Sequence, residues 1–431
     1  MKNPLDRIAI SVILALIILL VLVSVIGNQI GMTVSLVDTS VGPWGPIELE
    51  FASPASLAKV QKAVLFQPGL IGDWQVESPR QLRFFVAQPL QPNVQYSLTL
   101  QPGALGTNGE QLNRSHTFLF KTRSPEIVYL TTTPRDLWRV ASDGSSRRQL
   151  THSGIVRDFS VSRDGNQIAF SVPDQKGGVD IWLTDRDGNN THLALDCGAD
   201  RCSTPAWSPD GHQIAYTRES AGLTPGGPPG VPRPWIFNLQ TAQTSSLYED
   251  QQIIGYGTSW SPDGRRLATY DGVASGIRVL SLETRKEILL PTSSGLIGAW
   301  SPDGTRMLYP DVIQTPDGIR TIVTLANFST GEFSTFLEGG DYDATYDVPA
   351  WSPDEKYIAV GVRPNVDSTS REVWLINPDG LSGFTISAEE RVLYDQYQWD
   401  PWERRWWSGA LPCRADIIPR LWFIPSIREN R

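Results

Sequence analysis

The sequence predicts an all-β protein: a six-bladed, alternatively seven-bladed, β-propeller preceded by a β-sandwich and one N-terminal transmembrane helix. Three observations carry this. A turn of one kind recurs along the last two-thirds of the chain, an apolar run of about 19 residues stands near the N-terminus, and short alternating strands fill the stretch between.

The recurring turn reads Trp207-Ser208-Pro209-Asp210-Gly211, Trp260-Ser261-Pro262-Asp263-Gly264, Trp300-Ser301-Pro302-Asp303-Gly304 and Trp351-Ser352-Pro353-Asp354, with a worn copy at Val161-Ser162-Arg163-Asp164-Gly165 and an eroded one at Trp399-Asp400-Pro401-Trp402. The serines lie about 40 to 53 residues apart, the period of a propeller blade. Pro fixes the φ of a tight turn, Ser and Asp side chains accept from nearby N–H groups, and Gly takes the positive φ that closes the reversal. An apolar run follows each turn, as in Ile168-Ala169-Phe170, Ile214-Ala215-Tyr216, Leu267-Ala268-Thr269, Met307-Leu308-Tyr309 and Ile358-Ala359-Val360, and predicts a strand buried on its faces. A further strand, Asp136-Leu137-Trp138, Asp180-Ile181-Trp182 or Glu372-Val373-Trp374, leads into Ser142-Asp143-Gly144, Asp187-Gly188-Asn189 or Pro378-Asp379-Gly380, and Asp-Gly is a strong hairpin signal.

These residues resemble the WD-like propeller repeat of the TolB-like family over residues 126–425, and the resemblance implies a fold rather than an activity. Residues 127–150 supply three strands with no first strand ahead of them, and Asp395 to Trp399 supplies one near the other end. Pairing the two closes a ring of six blades and leaves no exposed sheet edge. Residues 403–427, with Arg405-Trp406-Trp407 and Arg420-Leu421-Trp422-Phe423-Ile424, would instead build a seventh.

Ile8 to Ile26 is interrupted only by Ser11 and Ser24, and at about 1.5 Å per residue it just spans a hydrocarbon core of about 30 Å. Residues 8–27 are therefore expected to be a signal anchor and residues 1–7 a cytoplasmic N-terminus. Lys2 and Arg7 precede the run and no Lys or Arg follows until Lys59, so the positive-inside bias puts the bulk of the chain outside the cytoplasm. The alternative is a cleaved signal peptide, against which stand the length of the run and the poor cleavage site at Ser24-Val25-Ile26-Gly27.

Residues 34–122 form the second expected domain, with strands at Ile47 to Phe51, Leu82 to Val86 and Tyr96 to Leu100 at the spacing of an antiparallel sandwich. Phe51-x-x-Pro54, Gly72-Asp73-Trp74, Leu90-x-Pro92-x-x-x-Tyr96, Gly103-Ala104, Asn108-Gly109 and Phe118-x-Phe120-x-Thr122 resemble a bacterial Ig-like domain of surface-layer proteins, which implies a spacer or adhesive module. Thr122 to Pro125 is the linker, and residues 426–431 are a C-terminal tail.

The chain has 37 basic and 46 acidic residues, net −9, and no basic run, so nucleic acid has no electrostatic footprint here. Cys197 and Cys202 flank a short loop and are a candidate disulfide outside the cytoplasm, with unpaired thiols as the alternative. His116, His152, His192 and His212 show no metal-ligand spacing, no Gly-x-Ser-x-Gly elbow precedes an α/β domain, and no cofactor motif is present.

In propellers of this kind the first strand of each blade lines the central channel. The residues entering it are then Arg157, Ser203, Tyr256, Leu296, Asp347 and Asp395, a polar and mixed set that suits a glycan or peptide ligand. Tyr342 and Tyr346, in the acid and aromatic loop Asp341 to Asp347, are the candidate contacts for a protein partner. Ala221 to Pro234, rich in Pro and Gly, reads as an extended insertion. The expected function is a non-catalytic, membrane-anchored binding or assembly platform at the cell envelope. Alternatives are a carbohydrate- or peptide-processing lyase or hydrolase working in the channel, and a ligand sensor acting through a membrane partner.

Overall fold

The computed structural model describes residues 16–17, 31–91, 94–123, 126–141, 146–224, 227–250, 252–316, 318–337, 343–344, 348–353, 355–363, 372–380, 382–387, 397–399 and 421–423. The chain divides into two units, Met1–Ser124 and Pro125–Arg431.

In the first unit, Val34–Leu36, Ile47–Phe51, Gly72–Ser78 and Gln81–Val86 make one four-stranded sheet, and Ser40–Val41, Val64–Gln67, Gln95–Leu100 and His116–Thr122 make the other. Alternation decides which side chains face inward. Ile47, Leu49 and Phe51, Leu82, Phe84 and Val86, and Tyr96, Leu98 and Leu100 are all buried and share one core with Val60 of the helix Leu57–Ala63. Phe84 anchors an aromatic cluster, with ring centroids 4.7 Å from Phe66 and 5.2 Å from Trp74. One pairing departs from the antiparallel expectation, because Ser40–Val41 joins His116–Thr122 in parallel. The chain leaves the first sheet after Leu36 and arrives beside the last strand running in that strand's direction.

The anchor expected over residues 8–27 lies outside the described residues except for Leu16 and Ile17, which are helical. Among the described residues no helix is long and apolar enough to cross a membrane.

The second unit is a β-propeller, a succession of antiparallel sheets: sheet A over 126–149, sheet B over 159–195, sheet C over 201–246, joined to B by one parallel pair between Val179 and Arg201, sheet D over 255–291, sheet E over 299–337 and sheet F over 343–387. Apolar cores lie between consecutive sheets. Leu137 and Leu150 of A pack with Ile168 and Phe170 of B, Ala169 and Leu183 of B with Trp207 and Ile214 of C, and Ala268 and Ile277 of D with Trp300 and Met307 of E. Leu308 and Val323 of E meet Trp351 and Ile358 of F in the same way.

Each recurring turn is built as its residues dictate. In the third copy Ser261, fully buried, donates its hydroxyl to Asp263 Oδ1 at 2.5 Å and accepts the Arg266 N–H at 2.9 Å, while Asp263 Oδ1 also accepts the Arg265 N–H at 3.0 Å. The same bonds recur around Ser162, Ser208 and Ser301. Gly165, Gly211, Gly264 and Gly304 hold φ between 69° and 75°. In the fifth copy Glu355 takes the left-handed position, at φ 59°, and its carboxylate accepts the Asp303 N–H and pairs with Arg306 at 2.5 Å. An ion pair to the neighbouring sheet there offsets the penalty a side chain meets at positive φ.

Of the first strand expected at Asp395 to Trp399 to complete residues 127–150, only Tyr397–Trp399 is described. Tyr397–Trp399 pairs with Leu421–Phe423, and among the described residues no ladder joins it to sheet A.

Candidate functional site

The first strands of sheets B to E all begin at one face of the propeller and end at the recurring turns, so the links entering them and the loops between second and third strands lie together on the opposite face from the turns. On that entry face Arg157 is exposed two residues ahead of Phe159–Val161, Ser203 is half-buried in Arg201–Trp207, Tyr256 is 42% exposed in Gly255–Trp260, and Leu296 is half-buried ahead of Ala299–Trp300. Tyr342, Tyr346, Asp347 and Asp395 lie outside the described residues. Of their loop only Asp343–Ala344 is described, pairing with Arg363 and Val362.

The groups that join the four described positions are their immediate neighbours. Asp158, next to Arg157, accepts the Ser171 hydroxyl at 2.5 Å and faces the backbone N–H of Thr204, the residue after Ser203. Thr204 and Thr217 share a hydrogen bond between hydroxyls at 2.7 Å, and Thr217 Oγ1 accepts the N–H of Gly257, the residue after Tyr256, at 2.9 Å. The Tyr256 hydroxyl donates to the Gly295 carbonyl at 3.2 Å, next to Leu296. A polar chain thus runs from sheet to sheet, B to C to D to E, at the mouth of the first strands.

Backbone conformation explains why Thr204 and Gly257, beside Ser203 and Tyr256, join these links. The first strands of C and D are bulged between Ser203 and Ala206 and between Tyr256 and Ser259. Thr204 and Gly257 sit in the bulges at φ 50° and 65°. A β-branched residue at positive φ is costly and is held there by its surroundings, here by the hydrogen bond between its hydroxyl and that of Thr217.

Burial pushes the Asp158 carboxyl above the usual carboxylate range, against the opposing effect of the Ser171 hydroxyl, the Thr204 N–H and the nearby Arg157 and Arg135. Burial likewise raises the Tyr256 phenol, with a smaller push from Tyr270, whose ring centroid lies 5.4 Å away. Such groups bind by hydrogen bonding, and Asp158 already accepts the Ser171 hydroxyl. Among the described residues no group of three or more His, Cys, Asp or Glu side chains is placed to hold a metal ion.

The loops around this mouth carry the most exposed aliphatic side chains of the second unit: Leu223 at 105%, Val273 at 70%, Ile319 at 65% and Ile155 at 49%. The central hairpin of sheet E, Arg306–Thr315 with Gly318–Asn327, has ten residues in each strand against six or seven in sheets B to D, and the extra length projects from the same face.

Cys197 and Cys202 are joined by a disulfide in the link from B to C, with Cα atoms 6.3 Å apart. The insertion after Glu219 doubles back rather than extending. A Cβ at Gly222 would lie 2.8 Å from the Pro228 carbonyl oxygen, and the Gly230 N–H donates to the Ser220 carbonyl at 2.8 Å.

No protein-family model matches the chain. It is similar to a TolB homolog of Chlorobium chlorochromatii (strain CaD3), 30% identical over 174 residues, which are 38% of this chain and 37% of that protein. It is also similar to the Tol-Pal system protein TolB of Anaeromyxobacter dehalogenans (strain 2CP-C), 27% identical over 233 residues, 50% of this chain and 48% of the other. The matches thus span less than half the length of either relative. Among solved structures, TolB from Acinetobacter baumannii covers 70% of this chain and 79% of its own at 15% identity and a TM-score of 0.43. An oligogalacturonate lyase in complex with manganese covers 65% and 77% at 12% identity and the same TM-score.

Proposed function

We propose that this protein is a non-catalytic binding platform of the cell envelope that docks a protein partner on the entry face of its propeller. One observation carries the reading: the exposed aliphatic side chains Leu223, Val273, Ile319 and Ile155 come from four different sheets or links and all stand on the face where the first strands begin, around Arg157, Ser203 and Tyr256. Apolar tips with a polar surround suit a protein surface, and rigid sheets beneath hold them in a fixed array. Tyr342, Tyr346, Asp347 and Asp395 are further candidate contacts in this reading.

Two relatives are TolB proteins, one named for the Tol-Pal system, which supports an envelope setting and a protein partner. The Cys197 to Cys202 disulfide suits an oxidising compartment. Residues 8–27 serve as the membrane anchor, the first unit as an Ig-like spacer, and the second as a ring of six blades, or seven if Tyr397–Trp399 and Leu421–Phe423 belong to a further one.

The test is a photo-crosslinking amino acid placed at Val273 or Ile319 in native membranes, with Phe333 on the outer strand of sheet E as control. A discrete adduct from the two entry-face positions and none from Phe333 is expected. Adducts from Phe333 alone, or from none of the three, would overturn the reading.

A further inference from the structure

The loop closed by the disulfide does more than join two cysteines. Its Asp200 accepts the Ala221 N–H on Oδ1 at 2.8 Å and the Arg218 guanidinium on Oδ2 at 2.8 Å, and so grips both ends of the turn that starts the folded-back insertion. Arg218 in turn lies over the Trp235 ring at 4.9 Å from its centroid, on the strand that ends the insertion. The far end of the insertion is tied to the next sheet, where the Gly255 N–H donates to the Pro232 carbonyl at 3.0 Å.

The loop itself is fixed from behind. The Cys197 N–H donates to the buried Asp180 carboxylate at 2.8 Å, the Asp200 N–H to the Cys197 carbonyl at 3.1 Å, and the Val179 N–H to the Asp200 carbonyl at 3.0 Å. Asp200 is thereby aimed by a ring of six residues whose closure is the Cys197 to Cys202 bond. On its other side the same segment becomes the strand that carries Ser203 and Thr204 into the mouth, while Gly255 leads directly into Tyr256.

The geometry points to the Cys197 to Cys202 disulfide as a folding latch for the entry face: its formation sets Asp200, which orders the 220–232 insertion and through it the mouth positions Ser203, Thr204 and Tyr256 of two adjacent sheets. The bond forms as two thiols lose two protons and two electrons to a disulfide-bearing oxidant, which leaves as its dithiol by thiol–disulfide exchange. Cys202 is fully buried and Cys197 nearly so, so the closed latch is shielded from attack by external thiols and acts as a one-way maturation step rather than a reversible switch. The platform reading enters only in the consequence, that docking competence is acquired on oxidation.

The test is amide hydrogen exchange on the full chain without any partner, so that its outcome is independent of whether the entry face binds a protein. In a Cys197→Ser, Cys202→Ser double variant, the Ala221, Gly230 and Gly255 amides should exchange ~10-fold or more faster, the equivalent of losing one hydrogen bond's net worth, while strand amides of sheet E keep their rates. Asp200→Ala, which keeps the disulfide and the fold, should reproduce the acceleration at Ala221 and Gly230. Unchanged protection of the insertion in Asp200→Ala would overturn the latch, as would unchanged protection in the double variant.

Discussion

Trp260 donates its indole N–H to the carbonyl of Ala206 at 3.1 Å, tying the start of one recurring turn to the first strand of the sheet before it. The relation repeats: Trp207 Nε1 donates to the Ser160 carbonyl at 3.2 Å and Trp300 Nε1 to the Ser259 carbonyl at 3.4 Å. The acceptor in each case stands two residues before the serine of the preceding turn. Trp351, in the same position of sheet F, has a buried Nε1 with no acceptor among the described residues, and Arg306 stacks 4.5 Å from its ring centroid instead.

Trp260→Phe keeps most of the ring and loses the bond, so it should lower stability by about 1 kcal/mol, and Trp260→Ala, which also leaves a cavity, by about 3 kcal/mol. Trp351→Phe removes a donor that has no acceptor and should cost less than Trp260→Phe. Urea unfolding midpoints check this, and equal losses at 260 and 351 would show that the indole bond contributes nothing.

Two carboxylates should make the protein sensitive to acid. Burial works against the charge on Asp271 and on Asp303. Donors overcome it in both cases: the Ala274 and Val273 N–H groups and Arg278 for the first, the Ser301 and Thr305 hydroxyls and the Thr305 N–H for the second. Both carboxyls are held below the ordinary value. Their contribution is therefore present above the unfolded pKa, about 4, and is lost as pH falls through the lower folded value. Asp271→Asn and Asp303→Asn should be less stable than the parent at neutral pH, with a flatter stability profile below about pH 5.

Asp158 should behave in the opposite sense. Burial raises its pKa, so the folded state binds this proton more tightly than the unfolded chain does, and the stability linked to it is fully present below the unfolded pKa and lost as pH rises through the folded one. Asp158→Asn keeps an acceptor for Ser171 and Thr204 without the buried charge. At pH about 7 it should be at least as stable as the parent, the difference closing as the pH is lowered. A marked loss at neutral pH in thermal unfolding would show that the charge on Asp158 is needed.

Gly178 faces the disulfide loop so closely that a Cβ would lie 2.1 Å from the Gly198 carbonyl oxygen. Gly178→Ala should destabilise by about 2 kcal/mol or more, since backbone on both sides must move. Gly272→Ala, where a Cβ meets open space at ordinary φ, should be neutral or slightly stabilising. Melting temperatures of the pair check the contrast.

Much of the architecture was legible because its interactions are short in sequence. Ser261, Asp263 and Arg266 close their bonds within five residues, and the period-two burial of Ile47 to Phe51 follows from the strand itself. The expected entry positions and the residues beside them share the same strand ends. Arg157, Ser203 and Tyr256 stand at these strand ends, and Thr204 and Gly257 beside them make links that period-two reading does not foresee, because bulges in the first strands of sheets C and D break the alternation by which side chains are assigned to faces. The recurring signal that could have found them is their position four residues before each turn serine. The Pro- and Gly-rich insertion read as extended, yet its glycines permit backbone to approach backbone, and the carboxylate that holds it, Asp200, lies 21 residues from Ala221.

The sequence by itself determined the turns, the strands and the division into two β units, since these depend on bonds among near neighbours and on an alternation every strand must obey. Tertiary structure alone decided which groups meet: the indole bonds from sheet to sheet join residues 41 to 54 positions apart, and the Asp158 to Thr204 and Thr217 to Gly257 links exist only where bulges turn the backbone toward the next sheet. A repeat specifies each sheet, but the mouth is made of differences between repeats, and those are expressed only once the sheets stand side by side.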